Sequence, residues 1–337
     1  VAQLTEAISL VGKGVTKAKH LSTEQAEAAM ACILAGEADP VELGAFLVAM
    51  RIKEETAEEL IAFVRVAQGK INPLPGPAPD LTISSYAGKR QTFPALIGAV
   101  CVLASMGVRV GIHGHGNPPD RTALAHVLTA LDVKTDGDAQ NAASTLSKAG
   151  VAYIGVERYL PVMHEMLELR RKMGLRTCFH TMARLVNPFG STHQMVGISH
   201  ARTFEKFAVA SHALGFEKVV SFRGMEGEAE VNPLGHTIGY TLEADGRVSE
   251  FDIDPASLGI PKASRQALMT DSPEQSAAML RDALIGKGAE IHREAIALTA
   301  AAGLLAANKA DTLPAALEAA RGGLATAGDH LNAWASR

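Results

Sequence analysis

The sequence predicts a two-part molecule of the α/β class: a small helical N-terminal domain and a large α/β domain with a mainly parallel sheet. Three observations carry that expectation. Capped helices fill residues 1–70, a proline-rich hinge occupies residues 71–80, and from residue 81 onward strands alternate with helices. A chain of 337 residues is long enough to bury a core in each part.

The helical domain is legible from its caps. Ser22 with Gln25 forms a capping-box pattern ahead of an apolar helix over residues 26–34, which Gly36 can close. Asp39-Pro40 places an N-cap before a proline at the first helical position. Thr56 with Glu59 repeats the box before Leu60, Phe63, Val64 and Ala67, which lie three or four apart on one face. These apolar faces need a partner surface, either the rest of the chain or a second copy of it.

Pro73, Pro75, Pro77 and Pro79 remove backbone donors, so the hinge is extended. Beyond it, strands are expected at residues 81–85, 108–113, 151–155, 194–199 and 218–222, with helices at 94–106, 122–131 and 203–214. Residues 240–242 and 247–253, split by Ala244-Asp245-Gly246, read as an added hairpin, and residues 276–327 as a helical tail. Residues 161–186 interrupt the alternation with two helical segments and no strand, ending at Asn187-Pro188. They are expected to pack on the N-terminal helices and complete the helical domain, leaving 81–160 and 187–337 as the large domain.

Composition narrows the function classes. Hydrophobic residues make up 47% and aromatic residues only 4%, the mark of an aliphatic core, and 20% charge is too little for a disordered chain. No apolar run is long enough for a bilayer span and no secretory leader is visible, so a soluble, cytoplasmic protein without membrane contact is expected. Cys32, Cys101 and Cys178 form no C-x-x-C pair and read as reduced packing residues. A net charge of −4 does not advertise a nucleic-acid binder, so any such reading must rest on local clusters.

Several pieces taken in order carry a resemblance. They are Leu43-Gly44-Ala45-Phe46-Leu47, Val110-Gly111-Ile112-His113-Gly114, Arg170 to Val186 followed by Asn187-Pro188, and Gly224-Met225-Glu226. In this order the chain resembles the anthranilate phosphoribosyltransferase family, from about Leu4 to Ala327. The resemblance implies the anthranilate phosphoribosyltransferase / class II nucleoside phosphorylase fold and a homodimer joined through the helical domain. It also implies an acceptor site at His113, Gly114, Asn117, Arg170 and Asn187.

Two family motifs are altered. The glycine-rich loop that cups a pyrophosphate with bare N–H groups is here Ser84-Ser85-Tyr86-Ala87-Gly88-Lys89-Arg90-Gln91-Thr92, with a single glycine. The Asp-Glu pair that holds magnesium is replaced by Glu226-Gly227-Glu228, which leaves Glu226 and Glu228 as the metal candidates. Positive charge gathers instead at Lys89, Arg90, Arg170, Arg171, Lys172, Arg176 and Arg184. With Tyr86, this set resembles a YbiB-type branch that binds single-stranded DNA or RNA without sequence preference.

The leading expectation is therefore a non-catalytic protein. Side-chain charge would bind phosphates, and Tyr86, His113 or His115 would add stacking worth ~1–3 kcal/mol per base. That reading needs no cofactor. The alternative is an enzyme of the anthranilate type, which moves phosphoribose from phosphoribosyl pyrophosphate, with magnesium, to anthranilate or another small aromatic acceptor.

Overall fold

The computed structural model describes residues 2–14, 16–198 and 203–336. The N-terminal region holds α1 (Ala2–Val11), α2 (Thr23–Leu34), α3 (Pro40–Lys53) and α4 (Ala57–Gln68). Both capping boxes form: the Ser22 hydroxyl accepts from the Gln25 N–H, and the Thr56 hydroxyl from that of Glu59. Glu59 does more than cap. Its buried carboxylate also accepts from the Leu21 N–H and pairs with Lys53 at 2.7 Å, tying three helical segments together.

After the hinge come β1 (Leu81–Ser85), α5 (Ala95–Ser105), β2 (Val110–Gly114), α6 (Leu124–Ala130), α7 (Ala139–Ala149) and β3 (Val151–Gly155). The helical insertion follows as α8 (Val156–Tyr159), α9 (Pro161–Met173) and α10 (Phe179–Met182). The chain then returns to the sheet through β4 (His193–Gly197), α11 (Phe204–Ala213), β5 (Lys218–Phe222), β6 (Thr237–Leu242) and β7 (Val248–Ile253). It ends in α12 (Pro273–Leu284), α13 (Glu290–Ala306) and α14 (Leu313–Ala335). The strand expected to reach Ser199 ends at Gly197, and Ser199 itself lies outside the described residues. Among the described residues no helix is long and apolar enough to cross a membrane.

The seven strands lie in the order β3-β2-β1-β4-β5-β6-β7, with β1 to β5 parallel and the β6–β7 hairpin antiparallel. Side chains alternate between two cores, as the period of a strand requires. Leu81, Ile83, Val151 and Met195 join α5 and the C-terminal helices on one face. Ala152, Ile154 and Val196 share the other core with Phe46, Phe63, Met163 and Phe179 of the helical region. The two parts of the molecule thus meet over a sheet face and the ends of its strands.

Candidate active site

Strand order reverses between β1 and β4: the chain runs outward through β2 and β3 on one side and through β5 on the other. In open parallel sheets, ligands bind outside the carboxyl ends of the strands at such a switch point. Here that place receives the segment after β1 (residues 86–92), the segment after β2 (115–122), the turn after β5 (223–230), and α9 and α10 from the helical insertion.

The segment after β1 is already filled by the chain itself. One Glu228 carboxylate oxygen accepts from the Ala87 N–H (2.7 Å) and the Gly88 N–H (2.5 Å). Glu226 accepts from the Arg90 N–H (2.8 Å), the Gln91 N–H (3.4 Å) and the Thr92 hydroxyl (3.2 Å). Burial would raise the Glu226 pKa, but Lys89 and these donors outweigh it and hold the group below its ordinary value. The backbone donors that could cup a phosphate therefore hold carboxylates.

The turn that delivers them is fixed sterically. A Cβ on Gly197 or on Gly224 would collide with the Glu228 backbone, so only glycine permits this approach. Lys89 does not face solvent: it is 4% exposed and pairs with Glu230 at 2.5 Å. Lys89 as a phosphate contact is thus corrected, because its charge is spent in the interior. Arg90 is exposed, but its backbone belongs to the Glu226 contact.

Tyr86 is corrected as well. It is 7% exposed, and its hydroxyl lies 3.0 Å from His113 Nδ1 and 2.5 Å from the Tyr159 hydroxyl, so its ring is not presented for stacking. Burial pushes the Tyr86 pKa well up and holds the His113 pKa down at about 3, so both groups are neutral at pH 7. His115 is likewise held at about 4, mainly by burial. These rings form a packed floor beneath the cleft.

Arg171 is committed too, donating to Glu168 (2.9 Å) and to the Asn117 carbonyl (2.8 Å). Lys172 is exposed on the same helix. Asn187 braces a turn, accepting from the Gly190 N–H and donating to the Ser191 carbonyl, rather than reaching a ligand. Gly114 must be glycine because a Cβ there would strike the Ser85 carbonyl.

The remaining cations behave differently. Among the described residues the side chains of Arg170 and Arg176 form no hydrogen bond or ion pair, and the same holds for Arg51 and Arg223. Arg184 donates to the Gly197 and His180 carbonyls without meeting a carboxylate. Arg51, Arg176, Arg184 and Arg223 line a cavity of about 550 Å³ at the ends of β4 and β5. Arg170 lies in the adjoining crevice with Tyr86, His115 and His180. Burial, then the neighbouring arginines, pulls the Arg176 pKa down to about 10, the sign of positive charge without a counter-charge. Sequence reading missed Arg51 and Arg223, which stand alone in unrelated segments.

Glu226 and Glu228 each accept backbone N–H groups of the segment after β1. Among the described residues the one group of possible metal-binding side chains is His115, His164 and Glu168. Arg171 already neutralises Glu168 there, and His115 Nδ1 accepts from the Asn117 N–H, which leaves the ring proton on Nε2.

A small helical domain set against a large α/β domain with a mostly parallel sheet, and an arginine-lined cleft at the strand ends, defines the class of the protein. The chain belongs to the glycosyl transferase family with these two parts: the family's helical bundle domain matches residues 5–70 and its a/b domain residues 89–328. It is anthranilate phosphoribosyltransferase-like. It is 33% identical to the anthranilate phosphoribosyltransferase of Beijerinckia indica, over 87% of this chain and 85% of that protein. It is 31% identical to that of Methylorubrum populi, over 92% of each.

Among solved structures, anthranilate phosphoribosyltransferase from Thermus thermophilus superposes with a TM-score of 0.85 at 26% identity, covering 100% of this chain and 99% of that one. The Saccharomyces cerevisiae enzyme in complex with PRPP and Mg, at 16% identity and a TM-score of 0.84 over 99% and 97% of the two chains, shares the fold. These relatives overturn the reading of a non-catalytic binder of single-stranded nucleic acid. The burial of Tyr86 and Lys89 gives the physical reason. The expectation that no cofactor is needed loses its basis with that reading.

Proposed function

We propose that the protein is a phosphoribosyltransferase, moving phosphoribose from phosphoribosyl pyrophosphate to a small aromatic acceptor that carries a carboxylate. The observation behind this is the set of unpaired arginines at the switch point, in a chain whose relatives bear that activity in their names. In such a transfer the acceptor nitrogen attacks the anomeric carbon, the bond to pyrophosphate breaks, and the nitrogen gives up a proton. The chain's part is to hold two anions in register and to receive the charge that develops on the leaving pyrophosphate. Guanidinium groups suit both tasks, because they stay charged and grip oxyanions with paired donors.

Arg170, on the last turn of α9, is the group proposed for the acceptor carboxylate. His180, lining the same space and held neutral at about 3 mainly by burial, supplies a polar wall without a charge. The yeast neighbour was solved with magnesium; here Glu226 is taken up by backbone N–H groups and Arg265, and Glu228 holds two N–H groups on one oxygen while its other, buried oxygen has no partner and is the donor that would meet such an ion.

The reading is tested by turnover. Full-length protein with phosphoribosyl pyrophosphate, anthranilate and magnesium should consume anthranilate, followed by its fluorescence. Arg170→Ala should raise KM for the acceptor about tenfold or more, the loss of a charge-assisted hydrogen bond. No turnover with anthranilate or related aromatic amino acids would sink it.

A further inference from the structure

We propose that the donor's phosphate groups are held by arginine side chains in the cavity between α3, α10 and the ends of β4 and β5, and not by the backbone of the loop after β1. The proposal rests on the phosphoribosyltransferase reading only for the name of the ligand.

The loop offers no place for an oxyanion. Its Ala87 and Gly88 N–H groups converge on one Glu228 oxygen, and those of Arg90 and Gln91 on Glu226. Glu228 is 2% exposed, and its backbone is pinned between Gly197 and Gly224. The neighbouring Lys89–Glu230 pair is interior as well. A second anion entering there would meet two carboxylates and would have to unpack the turn that carries them.

The cavity has the opposite character. Arg51 comes from α3, Arg176 precedes α10, Arg184 follows it, and Arg223 follows β5, so four separate positions aim charge at one space of about 550 Å³. The carboxylates on its wall are Glu54, which is exposed, and Glu55, which is taken up by Lys206 at 3.1 Å. Among the described residues three of these arginines have no partner, and Arg184 bonds only to carbonyl oxygens. Arg51 and Arg223 stand at the exposed rim, while Arg176 and Arg184 are half-buried; like charges there repel more strongly than in water, and a polyanion relieves that repulsion. A diphosphate, compact and multiply charged, matches that need better than a single carboxylate.

Isothermal titration of the full chain with inorganic pyrophosphate, without metal, tests this directly. One site is expected, weakened at least tenfold by Arg176→Ala and by Arg223→Ala, and largely restored by the lysine variants. Arg90→Ala, on the exposed rim of the loop, should change affinity less than twofold. Thermal melts of each variant separate binding loss from unfolding. Absence of pyrophosphate binding by the unaltered chain would overturn the proposal, as would equal affinity in the arginine variants or selective loss in Arg90→Ala. Binding that depends on these arginines without any turnover would remove the enzyme reading and leave this site standing. Turnover with an unchanged donor KM in Arg176→Ala and Arg223→Ala would do the reverse.

Discussion

Two neighbouring regions at the same end of the sheet treat anions in opposite ways. The segment after β1 has converging donors and fills them with Glu226 and Glu228 from its own chain. A short distance away, Arg51, Arg176 and Arg223 line open space and, among the described residues, pair with no acid. In the first region the backbone donors are met from within the chain, though one Glu228 oxygen stays without a partner; in the second the arginines are unmet. Satisfied polar groups stabilise a fold, whereas a partly buried charge without a partner, such as Arg176, marks a place where something else can bind.

Acid has the largest expected effect on this contrast, because it attacks the uncharged floor beneath both regions. His113 and His180 are held at about 3, against an ordinary value of 6.5, chiefly by burial. Between those limits the unfolded chain binds more protons than the folded one. Their contribution is therefore complete above pH 6.5 and is lost as pH falls toward 3. At about 1.4 kcal/mol per unit this amounts to several kcal/mol. Urea unfolding at about pH 7 and about pH 4.5 should show it, and equal stabilities would mean that the two rings are open to water.

Lys89→Ala comes next. Removing one partner of a buried pair leaves the other charge stranded, at a cost of about 3–5 kcal/mol. The double variant Lys89→Met with Glu230→Leu should recover most of that in chemical denaturation. A single variant as stable as the parent would break the view that the first region is met from within the chain. The smallest effect is expected from Glu228→Ala, which frees the Ala87 and Gly88 N–H groups. Titration should then show a second, weaker site for pyrophosphate, and an unchanged stoichiometry would mean that the emptied loop collapses.

Local features were legible in the sequence because their causes are local. The boxes at Ser22 and Thr56 form as read, and β1, β3 and β5 occupy the residues expected of them. α7 escaped notice because Ala139–Ala149 is rich in polar residues, and only Asp138 and Gly150 mark its ends. β6 starts earlier than expected, at Thr237, because Gly239 weakens the apolar pattern where Phe251 packs across it.

The site was harder to read. Glu226 and Glu228 read as metal candidates until the fold brings them to partners about 140 residues away in the chain. Lys89 is misread for the same reason: its charge is plain in the sequence, but the carboxylate that buries it is not adjacent. Arg170 and Arg176 were identified through clustering, whereas Arg51 and Arg223 acquire meaning only from the cavity they share.

The outermost hairpin strand has a consequence of its own. β7 ends the sheet, and an unpaired strand edge is a template on which other chains can add. Its sequence, Val248-Ser249-Glu250-Phe251-Asp252-Ile253, sets two acids along a largely exposed strand, and Asp252 is held by His236 at 2.8 Å. Another strand docking there would have to strip water from those carboxylates. The sheet therefore stops growing at β7, and the rim that could seed aggregation is guarded by charge.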